Sequence, residues 1–346
     1  MEGALQSRLT ALVCTALLFA SGTAQAEADQ NFSGKTIRII VGTSPGGGYE
    51  AYARLAARYL GSRLAGKPVL IVANMPGASG ITACNHLYNV APKDGTTVAT
   101  FNRSLPFYQA LGQPGLRCKT EELSWIGSLS QTAEVLAVWH TAGIATLEDA
   151  KRREVLIGAQ SAIGTNSVYP LLMNATLGTR FKIVTGYAGG PEVDLAMEKE
   201  EVQGRGANPW TSWKIDHPDW IRDKKIVLLV QMGLKKEPEL PQIPLLTDLA
   251  QNEEQRRLFT FVSAPQAIER FFALPPGLPP GLLDQFRRAF QAMLADAAFR
   301  AEAKRQDMDL DPLTGDQVGE IVASIVRAEP ATVEKVRALL APPGGK

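Results

Sequence analysis

Three times in this chain a run of apolar, mostly β-branched residues stops at a cluster of small residues and turns at once into an amphipathic pattern. The first stretch is "IRIIVGTSPGGGYEAYARLAARYL" from Ile37, the second "PVLIVANMPGASGITACNHL" from Pro68, the third "VLIGAQSAIGTNSVYPLL" from Val155. A buried strand followed directly by a helix is the repeating unit of α/β layers, and glycine at the joint allows a sharp bend and a close ligand approach. The first turn of each helix leaves amides unpaired at the positive end of the helix dipole, so each joint is a candidate anion site. Open α/β sheets take their ligands at the carboxyl ends of strands. Converging loops of this kind offer amides and short hydroxyls with almost no fixed charge, a lining suited to a small carboxylate.

The same type of apolar run recurs as "TTVATFN" from Thr96, "EVLAVWH" from Glu134 and "KIVLLVQMG" from Lys225. Interleaved with helical patterns, these runs predict α/β layers around mostly parallel sheets. Near the end, "LPPGLPPGLLDQF" leads into a helix with Leu283, Phe286, Phe290 and Leu294 on one face. Thr314 and Gln317 make a capping box ahead of Val318, Ile321, Val322 and Ile325. The absence of repeats and of a clean linker suggests one domain inserted into another, with crossings near Leu129 and Phe261.

Residues 1–26, "MEGALQSRLTALVCTALLFASGTAQA", read as an export signal cleaved after Ala26: Arg8 precedes a short apolar stretch, and Ala24-Gln25-Ala26 supplies the cleavage pattern. The expected product is a soluble exported protein, placed in the periplasm, long enough for two domains. A formal net charge of +1 offers no reason to expect nucleic acid as a partner. His86, His140 and His217 are scattered and no Cys-x-x-Cys occurs, so neither a metal nor a cofactor is expected. Cys84 and Cys118 are left after cleavage and either pair or stay as two buried thiols.

Rival chemistries fit less well. Gly42 to Gly46, "GTSPG", matches the G-x-S-x-G elbow of serine hydrolases. The residue after the serine is Pro45, however, which has no N–H to give to an oxyanion. A dinucleotide site would need a different glycine spacing and an acid near Asn74, and no Gly-Lys-Ser/Thr follows for a phosphate loop.

Taken in order, "SPGGGYEAYAR", "NMPGASGITA", "GAQSAIGTNS", "GYAGGPEVDLAMEKEEV" and "PPGLPPGLLDQFRRAFQAMLADAAFRAEAKR" resemble the substrate-binding receptors of tripartite tricarboxylate transporters, the Bug family. The likeness runs over nearly the whole exported chain. It implies a two-lobed, type II-like periplasmic-binding-protein fold with the ligand cleft between lobes. Lobe 1 would comprise 27–131 plus 261–346, and lobe 2 the inserted 132–260.

By the same resemblance, Ser44, Pro45, Gly46, Gly47, Gly48 and Tyr49 would hold one carboxylate together with Pro76, Gly77, Ala78, Ser79 and Gly80. Ser161, Gly164, Thr165, Asn166 and Ser167 would face it from the other lobe, and no residue would be catalytic. Asn102, at a strand end, is a further candidate donor. Arg103 and Arg205 are each candidates for a distal carboxylate or for a structural role. Trp210 and Trp213 either wall the cleft or pack in the core.

The chain departs from the family in two places. Tyr49-Glu50 replaces the usual Thr-Asp, where a phenol would narrow the pocket or stack on the ligand. Thr185 to Gly190 lacks the usual lysine, with Ala188 in its place. The implied function is capture of a di-, tri- or aromatic acid by a monomeric receptor that membrane transporter subunits recognise. An exported hydrolase using Ser44 and an orphan sensory receptor are the alternatives.

Overall fold

The computed structural model describes residues 29–160, 164–187 and 189–340; residues 1–26, read above as an export signal, Ser161 and Ala188 lie outside them. Eleven strands are described: β1 Thr36–Val41, β2 Val69–Asn74, β3 Thr97–Thr100, β4 Ser124–Ser130, β5 Glu134–Trp139, β6 Val155–Ala159, β7 Phe181–Thr185, β8 Gly204–Pro209, β9 Ile226–Met232, β10 Glu269–Leu274 and β11 Leu313–Thr314. They form two sheets, ordered β11-β4-β10-β3-β1-β2 and β7-β6-β8-β5-β9. The chain is thus a two-lobed α/β structure built on two separate sheets.

The sheets are mixed rather than mostly parallel. β1 runs parallel to β2 and β3, and β6 runs parallel to β7 and β8. β10 opposes both β3 and β4, while β5 opposes both β8 and β9. The exceptions have one cause. β4 ends at Ser130 and β5 begins at Glu134 in the other sheet, so the chain crosses at the edge where parallel strands finish. A strand that enters from that edge must run against its neighbours, and β10 does so on the return.

Each sheet is covered on both faces. Phe286, Phe290 and Met293 of the helix Leu282–Ala295 pack on Ile37, Ile39 and Val41, with Leu283 half-buried beside them. The other face buries Ile40, Phe101, Trp125 and Phe271 with the helix Ile81–Asn89. Fully burying an aromatic or large aliphatic side chain contributes about 1.5–3 kcal/mol, so such stripes hold these helices in place. Cys84 in that helix forms a disulfide with Cys118, their Cα atoms 5.7 Å apart.

The second sheet buries Val135, Ala137, Trp210, Trp213 and Trp220 in one cluster, so both candidate cleft tryptophans are core residues. Thr314 and Gln317 form the expected capping box on the helix Gly315–Val326. That helix places Val318 and Val322 in the core of the first sheet and Ile325 in a core of the second.

Candidate functional site

β1, β2 and β3 stop in one row, with Val41 in register with Asn74 and Thr100. The loops that follow therefore emerge side by side. Asn74 Nδ2 donates to the Thr43 carbonyl at 3.0 Å and the Met75 amide to the Val41 carbonyl at 2.8 Å, tying the first two loops together. Ser44 to Gly48 and Pro76 to Ser79 are exposed at this edge. Gly77, Ala78, Ser79 and Gly80 all have positive φ, and for Ala78 (45°) and Ser79 (55°) that conformation is costly. Gly80 backs onto Asn102: a Cβ there would lie 3.2 Å from the Asn102 amide.

The helix starts at these joints share one feature, also found at Gly281. The helices Gly48–Leu60, Ile81–Asn89, Thr165–Leu177 and Gly190–Glu198 follow β1, β2, β6 and β7 and start from Gly47, Gly80, Gly164 and Gly189. None of these glycines has a side chain to bond the first turn. Elsewhere Thr146, Asn252, Asp296 and Thr314 cap helices with their side chains. Glycine at these four starts leaves the first-turn amides without a side-chain cap, at a cost of a few tenths of a kcal/mol relative to a good cap. One amide is already taken: Gly46 N–H donates to Glu50 Oε2 at 2.6 Å. That bond, then Arg54, holds the Glu50 carboxyl below its ordinary range. The amides left to a ligand in this loop lie further along, from Gly47 on.

A buried charge cluster joins the loops. Arg103, just beyond β3, pairs with Glu134, the first residue of β5, at 3.0 Å and with Glu269, the first residue of β10. Its backbone amide donates to the Tyr49 hydroxyl at 3.1 Å. Glu134 also accepts from Thr165 Oγ1 at 3.3 Å and from Gln266 at 3.0 Å, which reaches Tyr169. Burial lifts the Glu134 carboxyl above its usual range, with Arg103 opposing that rise. Burial also resists ionisation of Glu269, but Arg103 and Arg270 outweigh it and hold that carboxyl low. Tyr49, loop three and Arg103 thus share one network, in which Arg103 serves structure.

The other candidates are placed as follows. Asn166 is buried and fully employed, its Nδ2 on Gln160 at 3.0 Å and its Oδ1 accepting the Ala207 amide at 2.9 Å. Ser167 is buried beside it. Asn102 Oδ1 accepts the Ser104 amide. Arg205 Nη1 lies 3.0 and 3.1 Å from the two oxygens of Asp194, which His217 also approaches at 3.1 Å. Its guanidinium is 5.7 Å from the Trp213 ring. The Tyr49 ring carries the guanidinium of Arg270 at 4.3 Å.

Glu134, Glu269 and Arg270 were not legible as site residues. The available signal was a carboxylate opening a buried run, in "EVLAVW" and again in "ERFFAL". A cavity of about 260 Å³ lies between the two sheets' elements, lined by Gly48, Tyr52, Thr132, Thr211, Ser212 and Arg270 among others.

The chain is 25% identical over 333 residues to the UPF0065 protein in the gbd 5′ region of Cupriavidus necator, covering 94% of each. The resemblance is to the Bug family. The structure superposes on a TctC solute binding protein from Polaromonas with a TM-score of 0.67, 19% identity, and 88% and 97% of the two chains covered. The periplasmic binding protein BugD gives 0.59 and 16%, and an R. palustris protein with adipate 0.60 and 15%, each over 88% of this chain and 97% of the other. No family model matches the chain. The first two of these neighbours are a solute binding protein and a periplasmic binding protein, and the fold shared with this chain is the two-lobed periplasmic-binding-protein fold.

Proposed function

We propose that this chain is a periplasmic receptor that captures an organic carboxylate for a tripartite tricarboxylate-type transporter. Its lobes would be 27–131 with 261–346, and 132–260, closing on the acid between them. The observation that carries this reading is the set of four helices started by glycine, without side-chain caps, at the parallel strand ends of both sheets. A carboxylate placed there receives directed hydrogen bonds worth about 1.5–3 kcal/mol each, without a dedicated charge. The R. palustris neighbour with adipate supports an acid of this size.

Ser44 is exposed and hydrogen bonded to no base among the described residues, and Pro45 follows it. That arrangement favours binding over hydrolysis. Thermal shift of the exported chain against di-, tri- and aromatic carboxylates tests the proposal. An acid at about 100 times its Kd adds about 2.7 kcal/mol to stability. Ester turnover abolished by Ser44→Ala, with no stabilisation by any acid, would replace the receptor with a hydrolase.

A further inference from the structure

Arg270 is the second residue of β10, with φ of 57°, a conformation rare for a long side chain. Its guanidinium lies over the rings of Tyr49 and Tyr52, at 4.3 and 5.3 Å. It also presses on the first residue of a helix, Gly48, where a Cβ would stand 2.5 Å from Nη2. The glycine at that position therefore makes room for an arginine. Arg270 Nη1 lies 2.8 Å from Glu269 Oε1, but Glu269 is already shared with Arg103. Among the described residues Nε and Nη2 of Arg270 have no hydrogen-bond acceptor. Arg205 shares the carboxylate of Asp194 with His217, and its buried Nε has no partner among the described residues.

Arg270 lines the cavity between the lobes. Across it stand Pro209, Thr211, Ser212 and Ile215, which supply hydroxyls and apolar surface but no cation. Asp307 and Asp309 close one side. A carboxylate at Arg270 gains a fork of donors beside the amide of Gly48. A second carboxylate would meet Asp307 and Asp309, and the cation on the facing helix, Lys214, is already paired with Glu239 at 2.9 Å.

We infer that Arg270 anchors the carboxylate of an acid with one charged end, its remainder neutral and held against Thr211, Ser212 and Ile215. The inference rests on the receptor reading above and narrows its substrate class. Calorimetry on the exported chain tests it with succinate, adipate and terephthalate, each beside its monomethyl ester. The monoesters should bind at least as tightly as their parent diacids. Arg270→Gln should weaken the best monoester at least tenfold in a protein that still folds, with a melting temperature lowered because Glu269 loses a partner, and Arg270→Lys should weaken it less. Diacids binding more than tenfold tighter than monoesters would overturn the charge count. An unchanged Kd in Arg270→Gln would overturn the anchor and leave the receptor reading standing. Should Arg270→Gln not fold, the wild-type comparison and Arg270→Lys decide. Binding of no acid removes the receptor reading and this inference together.

Discussion

Arg103 Nη2 lies 3.0 Å from Glu134 Oε1, so the residue beyond β3 is clamped to the first residue of β5 where the chain passes between sheets. The arginine side chain is 13% exposed and has Glu269 on its other side. Removing one partner of such a buried set leaves uncompensated charge. Arg103→Met should lower stability by about 3–5 kcal/mol in urea unfolding. Glu134→Gln removes a carboxyl whose ionisation burial already resists, and should cost clearly less. Equal costs would contradict the clamp.

The tyrosines should resist alkali. Burial raises Tyr49 and Tyr52 to about 12 and also raises Tyr169, Tyr108 and Tyr187. Donation to Glu302 and Glu122 raises Tyr59 and Tyr88. These are all seven tyrosines. In the unfolded chain the phenols ionise near 10.0. Their contribution to stability is therefore complete below that pH and lost as pH rises from there through about 12. Ultraviolet titration should show far less phenolate at pH about 10.5 in the native protein than in guanidinium. Coincident curves would refute the shifts.

The disulfide should be worth a measurable part of the whole stability. Cys84 and Cys118 are 34 positions apart, and closing a loop of that length removes about 4 kcal/mol of unfolded-chain entropy. Cys84→Ser/Cys118→Ser should move the urea midpoint down accordingly; an unmoved midpoint would mean that the bridge does not form in the folded protein.

Two glycines should separate binding from folding. Gly47 has φ of −92°, and a Cβ there meets nothing within 4 Å. Gly47→Val should change stability by less than about 1 kcal/mol while weakening acid binding more than tenfold, because its branched side chain crowds the exposed helix start. At Gly206 a Cβ would collide with the Asn166 carbonyl and approach Pro170 within 2.7 Å. Gly206→Ala should cost about 1–3 kcal/mol in equilibrium unfolding.

Much of the framework was readable from short-range pattern. The runs beginning at Thr36, Pro68, Thr96, Glu134, Glu154 and Lys225 all contain strands within a residue or two of their bounds. β4, β7, β8, β10 and β11 were missed as strands; β4, β8 and β10 are rich in serine, glycine or phenylalanine rather than β-branched, and β11 has only two residues. The three glycine joints do lie where parallel strands end. The role of their neighbours was not readable: Glu50 takes the Gly46 amide and Tyr49 carries Arg270, while Asn166 spends its side chain on the main chain of Ala207.

Periodicity, glycine placement and capping boxes are interactions among residues a few positions apart, and they alone determined the α/β alternation, the joints and the Thr314 cap. Which charges meet was decided only by the fold. Glu134 and Glu269 stand 31 and 166 positions from Arg103, and they reach it because a chain entering a sheet from its cleft edge must start where its neighbours stop. Burial then makes that encounter matter, since charge pairing that water would screen at a surface carries several kcal/mol inside.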